Sequence, residues 1–116
     1  STANGFDQIS MKYLGGILIG INQISTEVPK DYKLYQNYPN PFNPSTIIKF
    51  DLKKSSQVKL VIYDILGREV SVAVNEVLKT GIYEVEISMS EFASGIYFYE
   101  FSSDDFTETR KMILLK

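Results

Sequence analysis

Eight residues, Asn37-Tyr38-Pro39-Asn40-Pro41-Phe42-Asn43-Pro44, carry three prolines set among asparagines and two aromatic rings, and no other stretch of the chain constrains its backbone as tightly. Each proline ring holds φ in the extended range and supplies no N–H, while Asn40 and Asn43, standing directly before prolines, are pushed away from the helical region. Helix and central strand are therefore both excluded here. The octet predicts a rigid corner, with Tyr38 and Phe42 pressed onto the end of a sandwich and the asparagine side chains bonding nearby backbone as Asx turns.

Behind the corner the pattern is that of strands. Ile48, Phe50 and Leu52 alternate with Lys49 and Asp51, and Val58, Leu60 and Ile62 alternate with Lys59, Val61 and Tyr63. The second of these is apolar on both faces, which predicts a central strand covered on both sides. Asp64-Ile65-Leu66-Gly67 turns the chain, Asp64 capping backbone groups and Gly67 taking positive φ, and a strand follows over residues 68–74. Gly81 opens another strand, with Tyr83, Val85 and Ile87 on one face and Glu84 and Glu86 on the other. A compact turn over residues 90–95 places Phe92 at the bottom of the core and Gly95 before Tyr97, Tyr99 and Phe101. Residues 102–105 form a hairpin loop, and residues 106–116 close the sheet. Eight Tyr, seven Phe and plentiful β-branched residues agree with this reading. It amounts to an all-β fold, a seven-stranded antiparallel immunoglobulin-like β-sandwich over residues 33–116, centred on Phe50, Leu60, Ile62, Val85, Ile87, Phe98 and Phe101.

The front is patterned more loosely. Asn4-Gly5 is a turn signal, residues 9–13 and 16–24 read as short strands joined at Gly15-Gly16, and residues 25–32 read as an exposed linker. Residues 1–32 are thus expected to be the tail of a preceding domain and a linker, with an extra strand of the following domain as the alternative. A start at Ser1, with neither Met nor a basic leader, is expected of a piece of a longer protein. The long apolar run, residues 14–21, is broken by three glycines and falls short of the roughly 20 residues that span a bilayer, so no transmembrane segment is expected.

Chemistry is sparse. With no His and no Cys, the usual general base, the usual zinc ligands, disulfides and the Cys- and His-dependent nucleophiles are absent. No enzyme activity, cofactor or metal is expected. A net charge of −2 gives no footprint for nucleic acid. Glu84 and Glu86 read as a solvated strand face, and Asp104 and Asp105 as turn caps rather than calcium ligands. Tyr97 and Tyr99 offer a sugar-stacking platform as the less favoured alternative to covering a core edge with their hydroxyls in water. Arg110, Lys111 and Lys116 flank the apolar run Met112-Ile113-Leu114-Leu115 and make that end locally basic.

Three stretches also carry a resemblance: Tyr38-Pro39-Asn40-Pro41-Phe42-Asn43-Pro44-Ser45-Thr46, Val61-Ile62-Tyr63-Asp64-Ile65-Leu66-Gly67-Arg68-Glu69-Val70 and Ala93-Ser94-Gly95-Ile96-Tyr97-Phe98-Tyr99. In order and spacing they resemble the type A C-terminal sorting domain of type IX secretion cargo proteins of Gram-negative bacteria, from about Tyr35 to Lys116. The resemblance implies a non-catalytic signal that addresses a folded cargo, already in the periplasm, to an outer-membrane translocon and its shuttle proteins. It further implies removal by a cell-surface sortase, with the cargo released or attached at the cell surface. Translocon recognition is then expected in the closing segment, at Arg110, Lys111, Met112, Ile113, Leu114, Leu115 and Lys116. The octet, Asp64, Gly67, Gly81, Tyr83, Gly95 and Tyr97 would hold the scaffold. Two other classes stand as alternatives: an immunoglobulin-like structural module, such as the related domain of flagellar hook-capping proteins, which shares the Tyr-Pro-Asn-Pro-Phe and Ala-Ser-Gly-Ile-Tyr type motifs, and a carbohydrate-binding accessory module. The end of the chain directly after the closing strand favours the sorting domain.

Overall fold

The computed structural model describes residues 12–116. The turn expected at Asn4-Gly5 and the first part of the strand expected over residues 9–13 lie outside the described residues. Nine strands follow in order: β1 (Lys12–Leu14), β2 (Ile17–Ser25), β3 (Lys33–Leu34), β4 (Ser45–Leu52), β5 (Ser56–Tyr63), β6 (Glu69–Leu78), β7 (Gly81–Ser88), β8 (Gly95–Ser103) and β9 (Phe106–Leu114). They form two antiparallel sheets, ordered β1-β2-β7-β4-β3 and β6-β5-β8-β9.

Period-two alternation decides which side chains meet between the sheets. From one sheet come Ile17, Ile19, Ile48, Phe50, Leu52, Tyr83, Val85 and Ile87; from the other, Val58, Leu60, Ile62, Tyr97, Tyr99, Phe101, Met112 and Leu114, all buried. Aromatic rings join the layers. Phe50 lies 4.6 Å from Phe101 and 5.4 Å from Tyr83, and Phe101 continues to Phe106 at 5.9 Å. Flat rings in this offset and tilted packing contribute beyond their buried area.

Four expectations need correction. Residues 33–116 supply the seven strands expected, β3 to β9, but the two sheets hold nine among the described residues, because Ile17–Ser25 pairs along β7 and Lys12–Leu14 pairs with β2 in turn. Phe98, expected in the core, points the other way. Its neighbours Tyr97 and Tyr99 take the inner face, so the pleat places Phe98 outside and half-buried, opposite Tyr63 and Lys111. β5 is central in its sheet, as expected, but only one face is covered by a second layer: Lys59 is exposed although Val61 is buried among its neighbours. β6 runs on to Leu78, since Ser56 and Gln57 keep pairing with Leu78 and Val77 across two register shifts.

Candidate functional site

The registers bring the octet and both motif turns to one end of the sandwich, while Gly81, opposite Leu52, stands at the other. Ser45 pairs with Ser88, Tyr63 with Phe98 and Gly95 with Leu114, so the octet, the turn after β5, the turn before β8 and the end of β9 share a single pole. Backbone hydrogen bonds tie them together. Met89 N–H donates to the Pro44 carbonyl at 2.9 Å, Phe42 N–H to Ile113 at 2.9 Å and Leu115 N–H back to Phe42 at 2.9 Å, a short parallel ladder between the octet and β9.

Within the octet, Phe42 is buried as expected, whereas Tyr38 is 80% exposed and anchored only through its backbone, paired with Ile47. The X–Pro bonds before Pro39, Pro41 and Pro44 are cis. Asn37 is buried and its side-chain amide donates to the Pro39 carbonyl and to Thr46 Oγ1, while the Asn40 Oδ1 accepts from Ile113 N–H on β9 at 3.0 Å. Asparagines thus hold the corner, in part by reaching across to β9.

The residue that sequence reasoning missed here is Tyr99. Its hydroxyl is not in water: it donates to the Tyr35 carbonyl at 2.8 Å and accepts from Asn37 N–H at 2.8 Å. Burial pushes this phenol up to about 12, and the Asn37 N–H and Arg110 only partly offset it. The available signal was the run of inward Tyr97, Tyr99 and Phe101 beside a proline corner with few partners of its own. Tyr99→Phe should leave Asn37 N–H buried and unpaired and cost about 1–3 kcal/mol in denaturant unfolding. An unchanged midpoint would contradict the role. Because the folded-state pKa is raised, this stabilisation is whole below about pH 10 and is lost as pH rises toward 12. The alkaline decline in melting temperature should therefore flatten in the Phe variant.

The turn after β5 is as read from sequence. Asp64 Oδ1 accepts from Leu66 N–H at 2.9 Å and Arg68 N–H at 3.0 Å, its Oδ2 accepts from Arg68 Nε at 2.9 Å, and Gly67 N–H closes onto the Asp64 carbonyl. Chiefly the Arg68 backbone N–H, helped by its side chain and by Leu66 N–H, holds the Asp64 carboxyl below its ordinary 3.8. A lowered folded-state pKa stabilises above the unfolded value and the benefit disappears as pH falls through the folded one. Asp64→Asn should consequently lower the melting temperature near neutrality, by an amount that shrinks below about pH 3.8. A gap that stays constant into acid would show that the charge plays no part.

Gly67 has φ 81°, and an added Cβ would meet nothing within 4 Å. Replacement there costs backbone strain alone. Gly67→Val should lose about 1–3 kcal/mol, while Gly67→Asn, which tolerates this conformation, should lose much less. Equal melting temperatures for both variants would refute the turn. The tip of this turn also exposes Ile65 at 62% and Leu66 at 73%.

The closing segment divides sharply. Met112 and Leu114 are fully buried, so in the folded domain their side chains belong to the core. Arg110, expected among the recognition residues, is half-buried: its Nε donates to the Leu34 carbonyl at 3.1 Å and its guanidinium pairs with Glu108 at 2.9 Å. Lys111 is exposed, Ile113 half-buried and Leu115 60% exposed. Lys116 is exposed yet clamped, its N–H on Ser94 Oγ and its Nζ on the Ser90 and Phe92 carbonyls at 2.6 and 3.0 Å. That ammonium caps the turn before β8, a role without a sequence signal.

Two tyrosines brace the turns that enter their strands. Tyr83 OH donates to the Lys79 carbonyl at 2.7 Å and Tyr97 OH to the Ala93 carbonyl at 2.8 Å, each four residues back. Gly81 stands where β2 comes close: an added Cβ would lie 2.6 Å from the Ser25 carbonyl oxygen. Gly95, in contrast, has open space around that position. Tyr97 and Tyr99 are both buried and offer no flat face for a sugar. Glu84 lies half-buried and Glu86 exposed on the outer face of their sheet, and Asp104 and Asp105 are exposed on the β8–β9 turn.

Among known proteins, no curated relative and no solved structure matches the chain. The family model described as the secretion system C-terminal sorting domain matches residues 36–115, from the residue before the octet to the residue before the clamped lysine. Its span takes in the proline corner, both motif turns and the closing strand that this pole gathers, and on that match the chain belongs to the family of type IX secretion C-terminal sorting domains.

Proposed function

We propose that this domain is the address by which an attached cargo is handed to the type IX outer-membrane translocon, and that it acts by being recognised rather than by catalysis. The family match over residues 36–115 carries the reading. Passage through the periplasm, engagement by shuttle proteins and a sortase, and release or attachment of the cargo at the cell surface follow from the same reading.

The recognised surface is the motif pole: Lys111, Leu115 and Lys116 at its rim, held in place by the octet. Their exposure beside a buried and tightly bonded support favours them over Met112 and Leu114. We also take the sandwich to be immunoglobulin-like. The order β3-β4-β7-β2 facing β6-β5-β8-β9 follows the A-B-E-D and C′-C-F-G arrangement, with β2 in the position of strand D. The Tyr97 hydroxyl, bonded back across the corner before β8, resembles the tyrosine corner of that fold.

To test recognition apart from folding, Lys111→Gln, Leu115→Ser and Lys116→Gln are combined in a cargo fusion, and export and melting temperature are both measured. Exposed substitutions of this kind usually change stability by less than about 0.5 kcal/mol each, with a somewhat larger change where Lys116 loses its carbonyl partners. The expected result is a folded fusion with impaired export. A folded triple variant exported at the wild-type rate would remove these residues from the recognised surface.

A further inference from the structure

The family match begins at residue 36, yet part of the core comes from before it. β2 pairs with β7 from Leu18 opposite Ser88 to Ser25 opposite Ile82, covering the β7 edge that faces away from β4. Ile17 and Ile19 are fully buried and Ile21 packs against the core. The approach is close. Gln23 Nε2 donates to the Thr80 carbonyl, and Gly81 has room for no Cβ beneath Ser25. The β1–β2 hairpin, turned by Gly15 and Gly16 at positive φ, is seated as well: Ser71 Oγ donates to the Leu14 carbonyl, and an added Cβ on Gly15 would run into the Val70 carbonyl.

What joins this hairpin to the rest is a tether of different character. Residues 26–32 contain no strand and are mostly exposed, and among them only Tyr32 makes a substantial anchor, stacked on Phe106 at 5.5 Å. A well-seated strand on an exposed tether has the form of β-strand addition, in which main-chain pairing supplies affinity and alternate side chains supply selectivity. Without that strand, β7 would present a row of unpaired N–H and C=O groups.

We propose that the outer edge of β7 is a strand-acceptor site for an extended peptide with apolar side chains at alternate positions, and that Ile17–Ser25 fills it as a detachable strand. Two consequences follow. Cleavage within residues 26–31 leaves the upstream segment bound, so covalent processing and physical separation of the two parts are distinct events. A vacated edge takes the same strand in trans.

The test uses the full chain with a specific protease sequence placed in residues 26–31. After cutting, both fragments should co-elute at the size of the uncut chain, and a fluorescent peptide of residues 12–25 should exchange in. A peptide with Ile17, Ile19 and Ile21 changed to Ser should bind at least about tenfold more weakly, since each buried aliphatic side chain contributes well over a tenfold factor. Gly81→Val in the cut chain, which pushes into the Ser25 backbone, should release the strand. The proposal is overturned if the upstream fragment leaves and does not rebind while the remainder stays folded, or if the serine peptide exchanges as readily. Aggregation of the cut chain also counts against it, because a retained strand keeps the edge covered.

Discussion

Phe50→Ala is expected to cost about 3–5 kcal/mol, a large share of the 5–15 kcal/mol typical of a whole domain. Phe50 is fully buried on the β4 inner face, pairs across the strand with Tyr83 and Leu34, and touches Phe101 of the opposite sheet. Truncation loses ring area from water-free packing and leaves a cavity lined by two other rings, neither of which can collapse into it without leaving its own sheet. Urea unfolding of Phe50→Ala and Phe98→Ala side by side checks the claim. The loss at Phe98, which is half-buried on the outer face, should be clearly smaller. Equal losses would mean that the inner and outer faces of β8 are assigned wrongly.

Ending the chain after Lys111 should unfold the domain outright. The five lost residues include Met112 and Leu114, both fully buried, and removal of each such side chain costs about 2–5 kcal/mol. They also include the backbone partners of Phe42 and the Lys116 clamp on the turn before β8. Together these approach the stability of the domain. Far-UV dichroism of the truncated chain should show the β signal lost. A cooperative thermal transition close to wild type would contradict the placement of β9 in the core. One consequence concerns secretion assays: loss of export on such a truncation reports folding, and only changes at exposed positions such as Lys111 and Leu115 report recognition.

Most of the sheet was legible because alternation is a local property. Ile48-Lys49-Phe50 or Tyr83-Glu84-Val85 states its faces without reference to anything distant. Asp64 and Gly67 were equally readable, since a carboxylate that can cap two N–H groups and a residue free to adopt positive φ define that turn between them. Phe98 was misplaced because a strand aromatic on either face looks alike in composition, and only the pairing of Tyr97, Tyr99 and Phe101 on the inner face decides against it. Arg110 was misjudged for a related reason: the Leu34 carbonyl that receives its guanidinium comes from a segment far away in sequence. At Tyr38 the backbone pairs with Ile47 while the ring stays in solvent.

The pole itself could not be seen locally at all. That the octet, the Asp64 turn, the Phe92 turn and Lys116 stand together depends on which strand ends coincide, and the register sets this through long-range pairs such as Gly95 with Leu114. β2 was readable as a short strand over residues 16–24, but its place beside β7 was not, because that pairing rests on a long-range register such as Ile21 with Val85.

The central claim is that the domain directs export through the type IX system, and its most direct measurement is the location of a folded reporter fused ahead of residues 12–116, so that β2 is retained. In a host with the secretion system the reporter should appear outside the outer membrane, and in an otherwise identical strain lacking the translocon it should remain in the periplasm. Periplasmic retention of the folded fusion in both strains, or equal export from both, would contradict the claim.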